Sequence, residues 1–225
     1  MDIELNYRIY GEGEPIFLLH GNGESMAYFK EQIPFLSKSR RVIAVDTRGH
    51  GGSPRGGGEF SISRFADDLL WLFDELNIQK ADILGFSDGG NIALTFALRY
   101  GERVNKLILN GANLFPSGVR LRYLVMMNFS YAVSLLSTRN AATTAKRELL
   151  ALMVKEPHIS PEELDKLDMP VLVIVGTHDV IRASHSKLIA GSIRDCWFVQ
   201  LNGTHFIAAE ASNEFNRILG VFLDE

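Results

Sequence analysis

Six short, unbroken apolar runs constrain this chain more than any other feature: PIFLLHG, RRVIAVD, ADILGFS, NKLILNGA, PVLVIVGTHD and CWFVQLNG. Each is rich in Val, Ile and Leu and does not alternate with polar residues, which is what a strand covered on both faces requires. Segments of helical period lie between several of them. In the clearest, Ile62, Phe65, Ala66, Leu69, Leu70, Phe73 and Leu76 recur every three or four residues, as on a helix with one buried stripe. Similar helices are expected from about Ser25, Asp88, Ala183 and Ala211, and an N-terminal hairpin turning at Gly11 to Gly13 is expected before the first of them. Alternating strand and helix predicts the α/β class, a mostly parallel central sheet with helices on both faces. Ligands on such sheets bind beyond the carboxyl ends of the strands.

The rhythm breaks once, over about 113–165, where helical stretches replace any strand-like run. We read this segment as a short helical cap inserted over the sheet within a single domain spanning 1–225. In HISPEEL, Ser160 is placed as an N-cap, Pro161 in the first turn and Glu163 as the partner completing a capping box. The most apolar window, YLVMMNFSYAVSLL, is interrupted by Asn128, Ser130 and Ser134 and is too short and too polar to cross a bilayer. Its Met126, Met127, Phe129 and Tyr131 are candidate walls of a substrate pocket, because a cap must present some face to a ligand; packing is the competing use of such a stripe. Arg120 and Arg122 read as a solvated face.

The 225 residues are 46% hydrophobic, with 23 basic against 27 acidic residues and a formal net charge of -4. Without a clustered basic run there is no electrostatic reason to expect nucleic acid or an anionic membrane as partner. One cysteine, Cys196, excludes a disulfide within the chain, and MDIELNYRIYGEGEP lacks the basic start and apolar core of a secretory signal. A reducing, cytoplasmic setting is the expectation. No metal is expected, since His178 and His185 lack a third ligand in register. Gly11 to Gly13 and Gly56 to Gly58 match neither dinucleotide-binding nor P-loop spacing.

Chemistry concentrates in ADILGFSDGGNIALTFALRYG, where an apolar strand turns at once into a helical pattern and leaves Ser87 at the corner. Gly85 and Gly89 flank that serine two residues to each side. So abrupt a turn brings two backbones together where side chains would clash, and holds the serine strained and exposed above the sheet. The N–H of Asp88 then opens the helix, where unpaired N–H groups and the positive dipole end favour a developing oxyanion. A serine needs a base, and His205 in LNGTHF lies just past the last strand. The base needs an orienting carboxylate. VLVIVGTHD supplies Asp179 just past the preceding strand, whereas the strand before that continues as LILNGANLF with no acid.

Serine, acid and histidine in that chain order, each at a strand end, are the order of a Ser-Asp-His triad. Here the chain resembles the α/β-hydrolase superfamily over nearly its whole length, through HGNG, DTRGHGGS, GFSDGG and GTHF. The resemblance implies that the backbone N–H of Asn22 joins that of Asp88 as an oxyanion hole, that His20 holds this loop by hydrogen bonds, and that Asp46, Arg48 and Gly49 to Ser53 shape the neighbouring loop. It implies a cofactor-free serine hydrolase acting on a small-molecule ester or thioester through an acyl-enzyme. The same triad also serves cleavage of a carbon–carbon bond or a small amide, and a hydrolase-derived protein that binds without turnover belongs to a different class again. An aspartate in place of the nucleophile, as in dehalogenases of this fold, is ruled out by Ser87.

Overall fold

The computed structural model describes residues 2–138 and 140–225. Its seven strands are β1 (Tyr7–Tyr10), β2 (Glu14–Leu19), β3 (Arg40–Val45), β4 (Ala81–Phe86), β5 (Val104–Asn110), β6 (Val171–Gly176) and β7 (Cys196–Leu201). They form one sheet in the order β1-β3-β2-β4-β5-β6-β7, parallel throughout except for β1. The helices are α1 (Ile33–Leu36), α2 (Ile62–Glu75), α3 (Asp88–Arg99), α4 (Leu121–Leu136), α5 (Ala141–Lys155), α6 (Ala183–Gly191), α7 (Ile207–Glu210) and α8 (Ser212–Asp224). Among the described residues no helix is long and apolar enough to cross a membrane.

The unbroken apolar runs are explained by a core on each side of the sheet. Successive residues of β2 go to opposite faces, Phe17 and Leu19 to one core and Ile16 and Leu18 to the other, as the two-residue period of a strand requires. On the first face, Phe73 of α2 stacks on Phe17 with ring centroids 4.2 Å apart, and Phe96 of α3 joins them. On the second, Phe215, Leu219 and Phe222 of α8 cover Leu84, Ile108 and Ile174. Every residue of β4 and β6 is buried.

The expected N-terminal hairpin does not form. β1 lies antiparallel against β3, from Tyr7 opposite Val45 to Tyr10 opposite Val42, and β2 is paired on both sides by β3 and β4. The reason is burial: β2 is an inner strand needing two partners, while β1, with Arg8 and Ile9 exposed, suits the edge. Gly11 is indeed a turn residue (φ 68°), but the close approach it permits is to the carbonyls of Ser37 and Arg40, not to a hairpin partner. The helix expected from Ser25 is instead a 3-10 turn, Met26–Phe29, capped by the Ser25 hydroxyl, followed by the four residues of α1. The one from Ala211 is α8, which begins at Ser212 with Ala211 as its N-cap and follows the single turn of α7.

Between β5 and β6 the described residues form helices and turns, with one isolated bridge at Val119. A 3-10 turn at Pro116–Gly118 leads into α4, and α5 ends before a second 3-10 turn at Pro161–Lys166. There the Glu163 carboxylate accepts the Ser160 N–H at 3.0 Å, as the capping-box reading required.

Candidate active site

β4 ends at Phe86, and Ser87 takes φ 53° and ψ −119° before α3 begins at Asp88. A non-glycine residue in this region is strained and persists only when its surroundings determine it. They do so here: a Cβ at Gly85 would strike the Gly89 backbone, and one at Gly89 would strike the carbonyls of Leu19 and His20 at the end of β2. The Ser87 N–H is held by the Asn110 carbonyl of β5 at 2.8 Å.

Residues 118 positions apart meet at this corner. His205 Nε2 lies 3.0 Å from Ser87 Oγ, and His205 Nδ1 lies 2.7 Å from Asp179 Oδ1. The same oxygen accepts the Ile181 N–H at 2.9 Å, fixing the carboxylate within the loop after β6. Asp179 and His205 are buried, and the imidazole packs against Phe86 and Phe206. The structure thus brings together all three residues singled out from the sequence. With its Nδ1–H directed at a carboxylate, the imidazole presents Nε2 as an acceptor toward the serine hydroxyl.

Asn22 follows β2 in the loop facing the elbow. Neither its backbone N–H nor that of Asp88 donates to a protein acceptor among the described residues, so both remain available to an outside oxygen. Asn22 also does something the sequence did not suggest: its side-chain Nδ2 donates to Asp88 Oδ2 at 2.8 Å and to the Leu149 carbonyl of α5 at 3.0 Å. His20 lies buried behind the loop. Its Nδ1 donates to the Gly21 carbonyl at 2.8 Å and its Nε2 accepts the Thr47 N–H at 3.1 Å, while burial pulls its pKa down to about 4. Asp46 ties the neighbouring loop by accepting the N–H groups of Met26 and Gly52, and fully buried Arg48 is paired with Asp68 at 2.7 Å.

A cavity of about 320 Å³ opens over the serine between the strand ends and α4 and α5. Met126 and Met127 line it, with Tyr123 and Ser130 from the same helix; Phe129 and Tyr131 do not. Helical phase is the reason. At about 100° per residue, positions 123, 126, 127 and 130 form one stripe, and 129 and 131 fall roughly a quarter-turn or more to either side. Phe129 is exposed, and Tyr131 turns to α5, where the Lys155 ammonium sits 5.1 Å from its ring centroid.

Sequence reasoning missed two carboxylates on the cavity wall, Glu24 and Glu156. Burial raises the pKa of both, and that of Asp88 at the floor. Glu156 is fixed by the Ile62 N–H at 2.8 Å and Glu24 more loosely by that of Gly21 at 3.3 Å. Among the described residues the cavity lining includes no lysine or arginine. Among the described residues no group of three His, Cys, Asp or Glu is arranged to hold a metal ion.

Comparison with known proteins agrees with this fold. The α/β-hydrolase fold family matches residues 14–149. A 2-hydroxymuconate semialdehyde hydrolase of Pseudomonas sp. (strain CF600) is 39% identical over 114 residues, which are 49% of this chain and only 40% of that protein. Among solved structures, a meta-cleavage product hydrolase from Pseudomonas fluorescens IP01 superposes with a TM-score of 0.81 at 27% identity, covering 99% of this chain and 94% of the other. The enol-lactonase from Burkholderia xenovorans LB400 does so at 0.83 and 26%, covering 99% and 97%.

Proposed function

Because this chain belongs to the α/β-hydrolase fold family, we propose that it is a serine hydrolase that opens a small neutral ester or thioester through an acyl-enzyme. One observation carries the reading: Ser87 Oγ, His205 Nε2 and Asp179 form a continuous hydrogen-bonded line at the floor of a largely apolar cavity. His205 takes the proton as Ser87 Oγ attacks the acyl carbon, and Asp179 stabilises the imidazolium. The backbone N–H groups of Asn22 and Asp88 receive the charge that develops on the carbonyl oxygen, a contribution of about 3 kcal/mol for each such donor. His205 then protonates the departing alcohol or thiol, and water activated by the same nitrogen releases the acid.

A second reading, cleavage of a carbon–carbon bond or of a lactone, comes from the relatives named as hydrolases of 2-hydroxymuconate semialdehyde and of 3-oxoadipate enol-lactone. The cavity wall favours the first. Glu24, Asp88 and Glu156 face it, and among the described lining residues no lysine or arginine offsets them, so a carboxylate-bearing substrate meets three acids there. The α4–α5 segment acts as the cap, presenting Met126, Met127 and Met153 to the acyl group.

Intact-protein mass spectrometry after a fluorophosphonate probe, with a panel of 4-nitrophenyl esters, tests the reading on wild type and Ser87→Ala. One adduct, lost in the variant together with a fall in kcat on the order of 10⁴ or more, is the expected result. Stoichiometric ester binding with neither adduct nor turnover would replace it with a ligand-binding role.

A further inference from the structure

The two residues proposed as backbone N–H donors to the oxyanion are also bonded to each other through their side chains. Asn22 Nδ2 carries two hydrogens, and both are used: one on Asp88 Oδ2 at 2.8 Å, the other on the Leu149 carbonyl of α5 at 3.0 Å. Both partners only accept, which fixes the orientation of the carboxamide, since its oxygen would be repelled in the same place. We propose that the Asn22 side chain is a positioning residue that holds the oxyanion hole together and couples it to the seating of α5. This inference rests on the serine-hydrolase reading.

The base of the loop is held at the Gly21 carbonyl, by His20 Nδ1 at 2.8 Å and by the Glu24 N–H at 3.2 Å, and its tip is open. Asn22 lies between Gly21 and Gly23, and a Cβ placed on Gly23, whose φ is 74°, would meet nothing within 4 Å. The Gly21 N–H to Glu24 contact is long, at 3.3 Å. The turn is closed at its base, and the side chain of Asn22 adds the ties that run from its tip to α3 and α5.

The other end of the link is rigid. Asp88 is the first residue of α3, and its Oδ1 accepts Asn91 Nδ2 at 3.2 Å from the next turn. Asn91 is fully buried, and its carboxamide is itself held by Asn113, which donates its N–H to Asn91 Oδ1 at 2.9 Å and accepts Asn91 Nδ2 at 3.1 Å. The Asn22 loop is thus referenced to the elbow helix that carries the other hole donor. A hole acts through donors already aimed at the oxyanion, and tolerances of about 0.5 Å decide its value.

The bond to Leu149 adds the cap. A carbonyl within a helix retains a lone pair after its i+4 partner is bonded, and Asn22 occupies it. The adjacent residue, Glu148, is paired with Arg55 through Nε at 3.0 Å and Nη2 at 2.5 Å, so this turn of α5 is anchored to the body of the protein beside the hole. Displacing α5 removes one of the two acceptors that orient Asn22.

The test compares wild type with Asn22→Ala, Asn22→Asp, Asp88→Ala and the Asn22→Ala/Asp88→Ala double variant. Each is measured for 4-nitrophenyl acetate hydrolysis and for the rate of fluorophosphonate inactivation, with thermal melting to confirm folding. Asn22→Ala keeps the backbone donor and should lower kcat and the inactivation rate about 10- to 100-fold with KM within threefold. Asn22→Asp has the same shape but puts an acceptor against two acceptors, so it should be no better than alanine; a space-filling role would tolerate it. The double variant should be no worse than threefold below the poorer single variant, because both remove one interaction. An Asn22→Ala kcat within threefold of wild type, an active Asn22→Asp, or single effects that multiply in the double variant would each overturn the inference while leaving the reading intact. Wild-type protein inert to both probes would overturn the two together.

Discussion

Gly111 lies against the imidazole of His205: a Cβ on this glycine, at φ 67°, would sit 2.7 Å from His205 Cε1 and 2.9 Å from Nδ1. Gly111 follows β5, where the sequence offers no acid, and the room left by the missing side chain is what His205 occupies on its way to Asp179. Alanine there meets both a disfavoured backbone conformation and a contact no real Cβ makes. We expect Gly111→Ala to displace the ring and to lower kcat on the order of 10²-fold, since an ångström of misplacement at a catalytic group costs about that much. Steady-state ester hydrolysis beside a melting curve checks it. A variant with unchanged kcat would mean that the ring reaches Ser87 from elsewhere.

Asp179 holds the His205 proton on Nδ1, and asparagine would offer either a donor or a neutral acceptor in its place. With the amide nitrogen toward the ring, Nε2 carries the hydrogen and cannot take one from Ser87. Asp179→Asn should fold normally and lose on the order of 10³- to 10⁴-fold in kcat near neutral pH. The pH–rate profile of the variant is the measurement, and a loss under tenfold would assign the orienting role to another group.

The strands were legible because β2, β4 and β6 are covered on both faces, so their residues are apolar apart from Glu14 at the exposed start of β2 and the buried Asp82 of β4. The hydrogen-bonded line of Ser87, His205 and Asp179 was legible because each follows a strand and the glycines around Ser87 are demanded by one close backbone crossing. The pairing of β1 was not legible, since the turn glycines are real and only the choice between β2 and β3 as partner differed. The inner face of α4 was not legible for another reason. Leu121, Val125, Phe129, Leu135 and Leu136 are exposed on its outer side, so the helix is apolar all round and its sequence carries no phase. Glu24 and Glu156 are ordinary acids along the chain and acquire meaning only where the cavity gathers them.

Acid stability should depend on the buried histidines. His185 is 5% exposed, its Nε2 accepts the Leu114 N–H at 2.9 Å, and burial, aided by the nearby Arg182 guanidinium, pulls its pKa from 6.5 down to about 4. Between those values the unfolded chain binds the proton and the folded one does not, so the contribution is full above pH 6.5 and is lost as pH falls toward 4. It amounts to as much as about 3 kcal/mol. Asp82, pushed up from 3.8 to about 6 by burial against the pull of Arg40, acts in the opposite sense, favouring the folded state at the acid end of the same window. Subtraction removes it. His185→Gln keeps an acceptor for Leu114 and cannot protonate, so its Tm should fall less than that of wild type between pH 7 and pH 4.5. Parallel curves would show that His185 titrates normally.

The acids lining the cavity make charge the sharpest discriminator among substrates. Glu156 is raised chiefly by burial, with Glu59 and Asp88 adding to it and the Ile62 N–H opposing. The site is thus one in which negative charge is already costly before a substrate arrives. A carboxylate on the acyl group would be desolvated beside Glu24, Asp88 and Glu156 with no lysine or arginine among the described lining residues. We expect kcat/KM for a 4-nitrophenyl ester ending in a carboxylate to lie at least tenfold below that of its neutral isostere, a difference of about 1.4 kcal/mol in transition-state binding. Glu156→Gln preserves the shape and the acceptor for Ile62 while removing one acid, and it should narrow that gap severalfold without altering the rate on the neutral ester. A wild-type enzyme that prefers the carboxylate ester would show that a cation reaches the cavity when substrate binds, and would move the assignment toward the anionic substrates of the second reading.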